Sequence, residues 1–334
     1  MKKLLVAILS LFSFVGCVKN QEFAIIYTTS DGDKIHIEDD YGIILSHTFD
    51  DGVGKIKLKS DVDILPQDLF WFTSTLTSVI IPSGITCIGQ YTFSESKSLT
   101  SITIPDSVTE IGYRAFYGCS SLAKITIPDS VTEIGLSVFA FCSSLTKITI
   151  PDSVTKIGDF AFDGCSSLAK ITIPDSVTEI EGHAFQNCSS LAKITIPDSV
   201  TRIGSWAFRG CSSLVQITIP DSVTSIAMRA FSSCSSLAKI TIPDSVTKIG
   251  DFAFDGCSSL VQITIPDSVT SIGNGAFHCC SSLAKITIPD SVTRIGYWAF
   301  SGCSSLVQIT IPSSANIGLE AFEGCYKLKN IKWM

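Results

Sequence analysis

From about residue 60 onward, apolar and polar positions recur in one 23-letter block, P-D-S-V-T-x-I-G-x-x-A-F-x-G-C-S-S-L-x-x-I-T-I. Prolines from Pro82 to Pro312 keep the 23-residue spacing without a skipped beat. A fixed short period of this kind is the signature of a tandem solenoid rather than of several globular domains. The tail of each block alternates: Lys124 and Thr126 point one way, Ile125 and Ile127 the other, which predicts a half-buried strand. Proline ends that strand and Asp-Ser makes the bend. The stretch Val-Thr-x-Ile-Gly-x-x-Ala-Phe is too rich in β-branched residues and glycine for a good helix, so it predicts a short strand followed by a helical turn. One unit has too little apolar surface to order itself. Stacking against its neighbours supplies the rest.

Residues 17–54 fall outside the period. Within them, EFAIIYTTSDGDKIHI has β-branched stretches around Ser-Asp-Gly-Asp, which predicts a hairpin cap. Residues 55–334 form the solenoid with its C-terminal cap. Phe70, Phe93 and their equivalents through Phe300 and Phe322 count twelve coils, and the last one ends in YKLKNIKWM, whose lysines suit a strand facing water. Parallel strands spaced ~4.8 Å over these coils give a rod or shallow arc roughly 55 Å long.

L-x-x-I-x-I-P joined to V-x-x-I-G-x-x-A-F-x-x-C at period 23 resembles the BspA-like leucine-rich-repeat family, the TpLRR class, over about residues 60–334. The resemblance implies a mostly β repeat solenoid: a right-handed leucine-rich-repeat coil with one continuous parallel sheet. It further implies a bacterial cell-surface protein, of a family in which several members are adhesins for host matrix proteins or other bacteria. It supplies no catalytic residue and no cofactor.

The opening MKKLLVAILSLFSFVGC changes the picture of where the chain acts. Two lysines, an apolar run over residues 4–15 and a small residue before a cysteine read as a secretory signal peptide over residues 1–16. The run is shorter than the roughly 20 residues a membrane-spanning helix needs. Its end resembles a bacterial lipobox with Phe14 in place of the usual Leu, which implies lipidation at Cys17 and, with Val18 following, anchoring in the outer membrane or at the cell surface. An ordinary leader with Cys17 incidental is the competing reading.

Hydrophobic residues make up 45% of the chain and charged residues 16%, which excludes general disorder. The formal charge of −7 becomes −9 once Lys2 and Lys3 leave with the leader, so nucleic acid is not an expected partner. Yet one strip is basic. Lys124, Lys147, Lys170, Lys193, Lys239 and Lys285 precede the strand isoleucine, with Gln216, Gln262 and Gln308 on the other rungs and threonines two residues on. The strip either meets an acidic protein or glycan or keeps the sheet face soluble.

The two residues before Ala-Phe vary most. Phe160, Trp206, Phe252 and Trp298 stand there, either to anchor a partner or to pack down over the convex edge. Ten cysteines from Cys119 to Cys325 form a ladder. In-register coils hold such side chains nearly 5 Å apart, whereas a disulfide wants Cβ atoms about 3.8 Å apart on converging vectors, so buried free thiols are expected. Cys87 and Cys279 break the ladder and are expected to be exposed and reactive. The aspartates after each proline form another row, read as solvated turn residues because the calcium-binding nonapeptide is absent. No metal site is predicted. His183 and His278 stand alone on variable turns, and no nucleophile elbow or phosphate loop occurs, so no enzyme is expected.

The leading function is therefore a lipid-anchored surface protein that binds host matrix or bacterial surface proteins, or acidic glycans. The alternative is a self-associating surface coat. The stretch 150–168 recurs letter for letter at 242–260, down to surface residues no core dictates, which reads as copying of four units as DNA.

Overall fold

The computed structural model describes residues 23–334, so the leader and Cys17 lie outside the described residues. The chain opens with three antiparallel strands, β1 (Ala24–Thr29), β2 (Ile44–Asp50) and β3 (Val53–Leu58). The hairpin is made by β2 and β3 around Asp51-Gly52, not around Ser30–Asp33. Both turn residues have positive φ, 46° and 78°, as a two-residue type I′ hairpin requires. Asp31-Gly32 instead leads into a segment without strand structure, whose Ile35 is tucked into the core. β1 then pairs antiparallel with Leu76–Ile80, which pairs parallel with Ser101–Thr103, so the cap continues into the solenoid.

Beyond the cap, every strand pairing is parallel and in register at one-coil offset. The Lys-Ile-Thr strands form one ladder, as in Lys124↔Lys147, Ile125↔Ile148 and Thr126↔Thr149. Val-Thr-x-Ile supplies a second, as in Glu133↔Lys156 and Ile134↔Ile157. The turn before each cysteine makes a third connection of another kind. Arg114, Phe116 and Gly118 donate their N–H groups to the carbonyls of Leu136, Val138 and Ala140 on the next coil, while Ala115, Tyr117 and Cys119 donate three residues back within the turn. Backbone polar groups are thus satisfied without a helix, and the predicted helical turn is an irregular one stitched to its neighbour.

The core is a set of columns. In one coil Val154, Ile157, Ala161, Phe162, Cys165, Leu168, Ile171 and Ile173 are all buried, and their equivalents above and below continue each column. The phenylalanines stack nearly parallel from Phe70 to Phe322, with centroids 5.2 to 5.7 Å apart. For parallel equivalent rings, the centroid distance is the local rise. It exceeds the ~4.8 Å spacing of strands, so the coils fan open on the phenylalanine side and the strand side is concave. Glycine follows the second-ladder isoleucine because the previous coil's backbone passes close: a Cβ on Gly204 would lie 2.4 Å from Gly182 N.

Candidate functional site

The strand ladder leaves one face to solvent. In each Lys-Ile-Thr strand the flanking residues are exposed and the isoleucine buried, so Lys124, Lys147, Lys170 and Lys193 form four consecutive rungs. Lys239 and Lys285 lie on the same line, separated by Gln216 and Gln262. None of the six has an ion-pair partner among the described residues. Like charges at coil spacing repel by a little under ~1 kcal/mol per pair in water, an expense that a bound anion would offset. Further along, Gln262, Thr264, Lys285, Thr287 and Asp290 line a shallow groove of about 810 Å³ on this concave face. The turn aspartates from Asp106 to Asp290 are exposed, and of these Asp267 and Asp290 line the groove. Their serine neighbours lock coil to coil, as where Ser153 Oγ donates to Val131 O at 2.6 Å.

The opposite ridge carries the variable pair. Its second residue has positive φ in coil after coil: 56° at Phe160, 57° at His183, 64° at Trp206, 54° at Arg229, 56° at Phe252 and 54° at Trp298. A bulky residue there carries a backbone cost of order 1 kcal/mol, offset here by side-chain contact along the column. Phe160 stacks on His183 at 4.2 Å, His183 on Trp206 at 5.4 Å, and the Arg229 guanidinium lies over both Trp206 and Phe252 at 4.8 and 4.5 Å. Phe160, Trp206 and Phe252 are therefore half-buried members of one stack whose ring faces are already in use. Trp298 is different. Gly275 interrupts the column, and Trp298 stands beyond it, exposed beside exposed Tyr297, with its indole N–H donating to Glu320. His183, read from the sequence as isolated, is held in the stack between Phe160 and Trp206.

The cysteine ladder is buried and reduced from Cys119 to Cys303, while Cys325 is half-buried. Each thiol from Cys119 to Cys303 also donates to the carbonyl of the phenylalanine 26 residues earlier, as from Cys211 Sγ to Phe185 O at 3.2 Å, a role beyond apolar filling. Burial pushes these thiols up, Cys142 and Cys234 to about 12. Cys279 is exposed as expected, but Cys87 is only half-buried. Burial raises both, with Asp255 adding to the effect at Cys279 and Glu110 and Asp63 at Cys87, so neither is a preformed thiolate. Among the described residues no cluster of three His, Cys, Asp or Glu side chains could hold a metal ion.

The coil geometry, with its in-register strand ladders and stacked phenylalanines, has a counterpart in a family model. The model for the BspA type leucine-rich repeat region matches residues 24–146, 63–192, 132–254 and 224–334, nearly all of the chain. The chain belongs to this family. It is also similar to a leucine-rich cell surface protein of Faecalibacterium prausnitzii, at 33% identity over 96% of both chains with a TM-score of 0.60. A leucine-rich repeat protein of Bacteroides ovatus is 29% identical, covering 90% of this chain and 98% of its own, with a TM-score of 0.63. One from Eubacterium ventriosum is 27% identical over 80% of this chain and 81% of its own, with a TM-score of 0.58. Curated proteins give no match.

Proposed function

We propose that this BspA-type chain is an exported surface protein, lipid-anchored through Cys17, that binds macromolecules along its concave strand face. Its partners are acidic surfaces of host matrix or bacterial proteins, or acidic glycans. The observation that carries this reading is the run Lys124, Lys147, Lys170 and Lys193: four adjacent exposed cations without acidic partners, on a protein whose net charge is −7. Such a strip is complementary to a linear anion, and several weak equivalent contacts add up along it. The similarity to a named cell surface protein supports the location.

The test replaces these four lysines by glutamine, which Gln216, Gln262 and Gln308 already place on equivalent rungs, so the coil should fold unchanged. Binding to immobilised matrix proteins and to sulfated glycan is then measured against salt concentration. The reading requires at least about a tenfold loss of affinity and a flatter salt dependence. Equal binding by both proteins refutes it. For the anchor, fatty-acid labelling that persists in Cys17→Ala removes lipidation from the proposal.

A further inference from the structure

The duplicated stretches 150–168 and 242–260 each contain an aspartate, Asp163 and Asp255, 92 residues apart. On the coil that follows, the copies differ: Gln186-Asn187 in the first corresponds to His278-Cys279 in the second. In the first copy, Gln186 Nε2 and Asn187 Nδ2 both donate to Asp163 Oδ1, at 3.2 and 3.4 Å. Two amides serve this carboxylate, and Gln186 Oε1 in turn lies 2.8 Å from His183 Nδ1. The fold is thus content with amides at this place.

In the second copy, His278 Nδ1 lies 2.8 Å from Asp255 Oδ1, and His278 Nε2 lies 3.5 Å from Cys279 Sγ. An ionised carboxylate only accepts, so Nδ1 carries the proton and Nε2 turns its lone pair to the thiol. The other carboxylate oxygen, Oδ2, is held by Ser232 Oγ at 3.3 Å and faces Arg229 at 3.7 Å, which fixes its orientation. Cys279 is exposed and plays no part in the buried ladder, where Cys280 occupies the rung. Its sulfur sits over Gly302, where a Cβ would come within 3.0 Å, so the absent side chain leaves the thiol open to approach. Because the thiol is not ionised beforehand, a base beside it speeds its attack.

We propose that Asp255, His278 and Cys279 form a base-assisted thiol site that takes solvent-exposed disulfides, R–S–S–R′. As Cys279 Sγ attacks one sulfur, His278 Nε2 accepts the thiol proton. A Cys279–S–S–R bond forms, the S–S bond of the partner breaks, and the departing R′–S⁻ takes the proton from His278 as R′–SH. The partner disulfide supplies the oxidising equivalents, so no further oxidant enters. The product is a reversible covalent tether between the ridge of the solenoid and a disulfide-bearing molecule, independent of the lysine face. Cys279 is the nucleophile and His278 the base. Asp255 is a positioning residue that acts through the imidazole.

The experiment exposes the folded protein to cystamine and follows mixed-disulfide formation by intact mass and peptide mapping. Cys279 is expected to react at least about tenfold faster than half-buried Cys87, and His278→Gln to slow it by about tenfold or more. Glutamine is what the first copy carries there, so folding is not at issue. Asp255→Asn is expected to slow the reaction and to steepen its rise over roughly pH 6 to 8, toward the tenfold per unit of an unassisted thiol. A Cys279 rate no greater than that of Cys87, a wild-type rate in His278→Gln, or an unchanged pH profile in Asp255→Asn each overturns the proposal.

Discussion

The ring of Phe141 lies on Gly164: a Cβ on that glycine would meet Phe141 Cδ1 at 2.7 Å. The contact belongs to a rule. At the positive-φ position that precedes the cysteine column, side chains and glycines alternate from residue 95 to residue 302, Glu95 over Gly118, Phe141 over Gly164, Asn187 over Gly210, Ser233 over Gly256 and Cys279 over Gly302. Gly164 and Gly256 share a φ of 71°, so the backbone cost of adding a methyl group is common to both. Only the neighbour differs, because nothing of Ser233 would come nearer than 3.6 Å to a Cβ on Gly256. Gly164→Ala should therefore destabilise more than Gly256→Ala by about 1 kcal/mol, the low end for overpacking because the exposed Phe141 ring can swing aside. Urea unfolding measures the difference, and Phe141→Ser should erase it.

The same alternation makes a pair of coils, 46 residues, the packing unit on this ridge. It fits the internal duplication, whose 92-residue offset is four coils and keeps the parity. Two single-coil deletions of 23 residues each separate parity from length. Removing residues 142–164 brings Phe141 against Asn187, side chain on side chain, whereas removing 119–141 brings Gly118 against Gly164. The first protein should be less stable by about 1–3 kcal/mol. Equal urea midpoints would show that the coil, not the pair, is the unit.

In the cap, Tyr27 is fully buried and its hydroxyl lies 2.7 Å from His47 Nε2. Burial, reinforced by Lys34, lowers His47 from 6.5 to about 4. Below pH 6.5 the unfolded chain takes up a proton that the folded cap refuses, so this stabilisation is complete above 6.5 and is lost as pH falls toward about 4. An NMR titration of the His47 ring should give a midpoint near 4. A midpoint at the ordinary value would mean that the ring is not held against Tyr27.

The period, the buried face of each strand and the phenylalanine and cysteine columns were legible in the sequence because one letter pattern returns every 23 residues and core positions tolerate little change. The ridge was not. A positive φ at Phe160 or Trp206 leaves no mark in composition, since glycine is the usual sign of that conformation. His278 looked solitary because its partner Asp255 is 23 letters away, one coil, and the link appears only when coils are laid side by side. The S–H bond of each ladder cysteine from Cys119 to Cys303 was hidden for the same reason, its acceptor lying 26 residues back. The hairpin was misplaced between two Asp-Gly turns of equal local appeal, Asp31-Gly32 and Asp51-Gly52; pairing with β1 decides for the second.

Nine thiols buried from Cys119 to Cys303 make alkaline pH the weak side of this fold. An unfolded thiol ionises near 9.0, but burial, opposed only in part by a backbone hydrogen bond from the ladder cysteine one coil back, holds Cys142 and Cys234 at about 12 and raises the others too. Above pH 9 the unfolded chain therefore releases protons that the folded chain keeps, and stability falls with rising pH until the folded thiols ionise in turn. Each thiol that the fold keeps protonated steepens this loss, so the solenoid should lose stability progressively as pH rises above 9 while remaining insensitive to pH between roughly 7 and 8. Serine keeps an O–H donor for the same carbonyl and does not titrate in this range, so Cys142→Ser with Cys234→Ser should flatten the slope by about 2.8 kcal/mol per unit. Urea midpoints taken across this pH range test it, and parallel curves for the two proteins would mean that the thiol ladder does not set the alkaline limit.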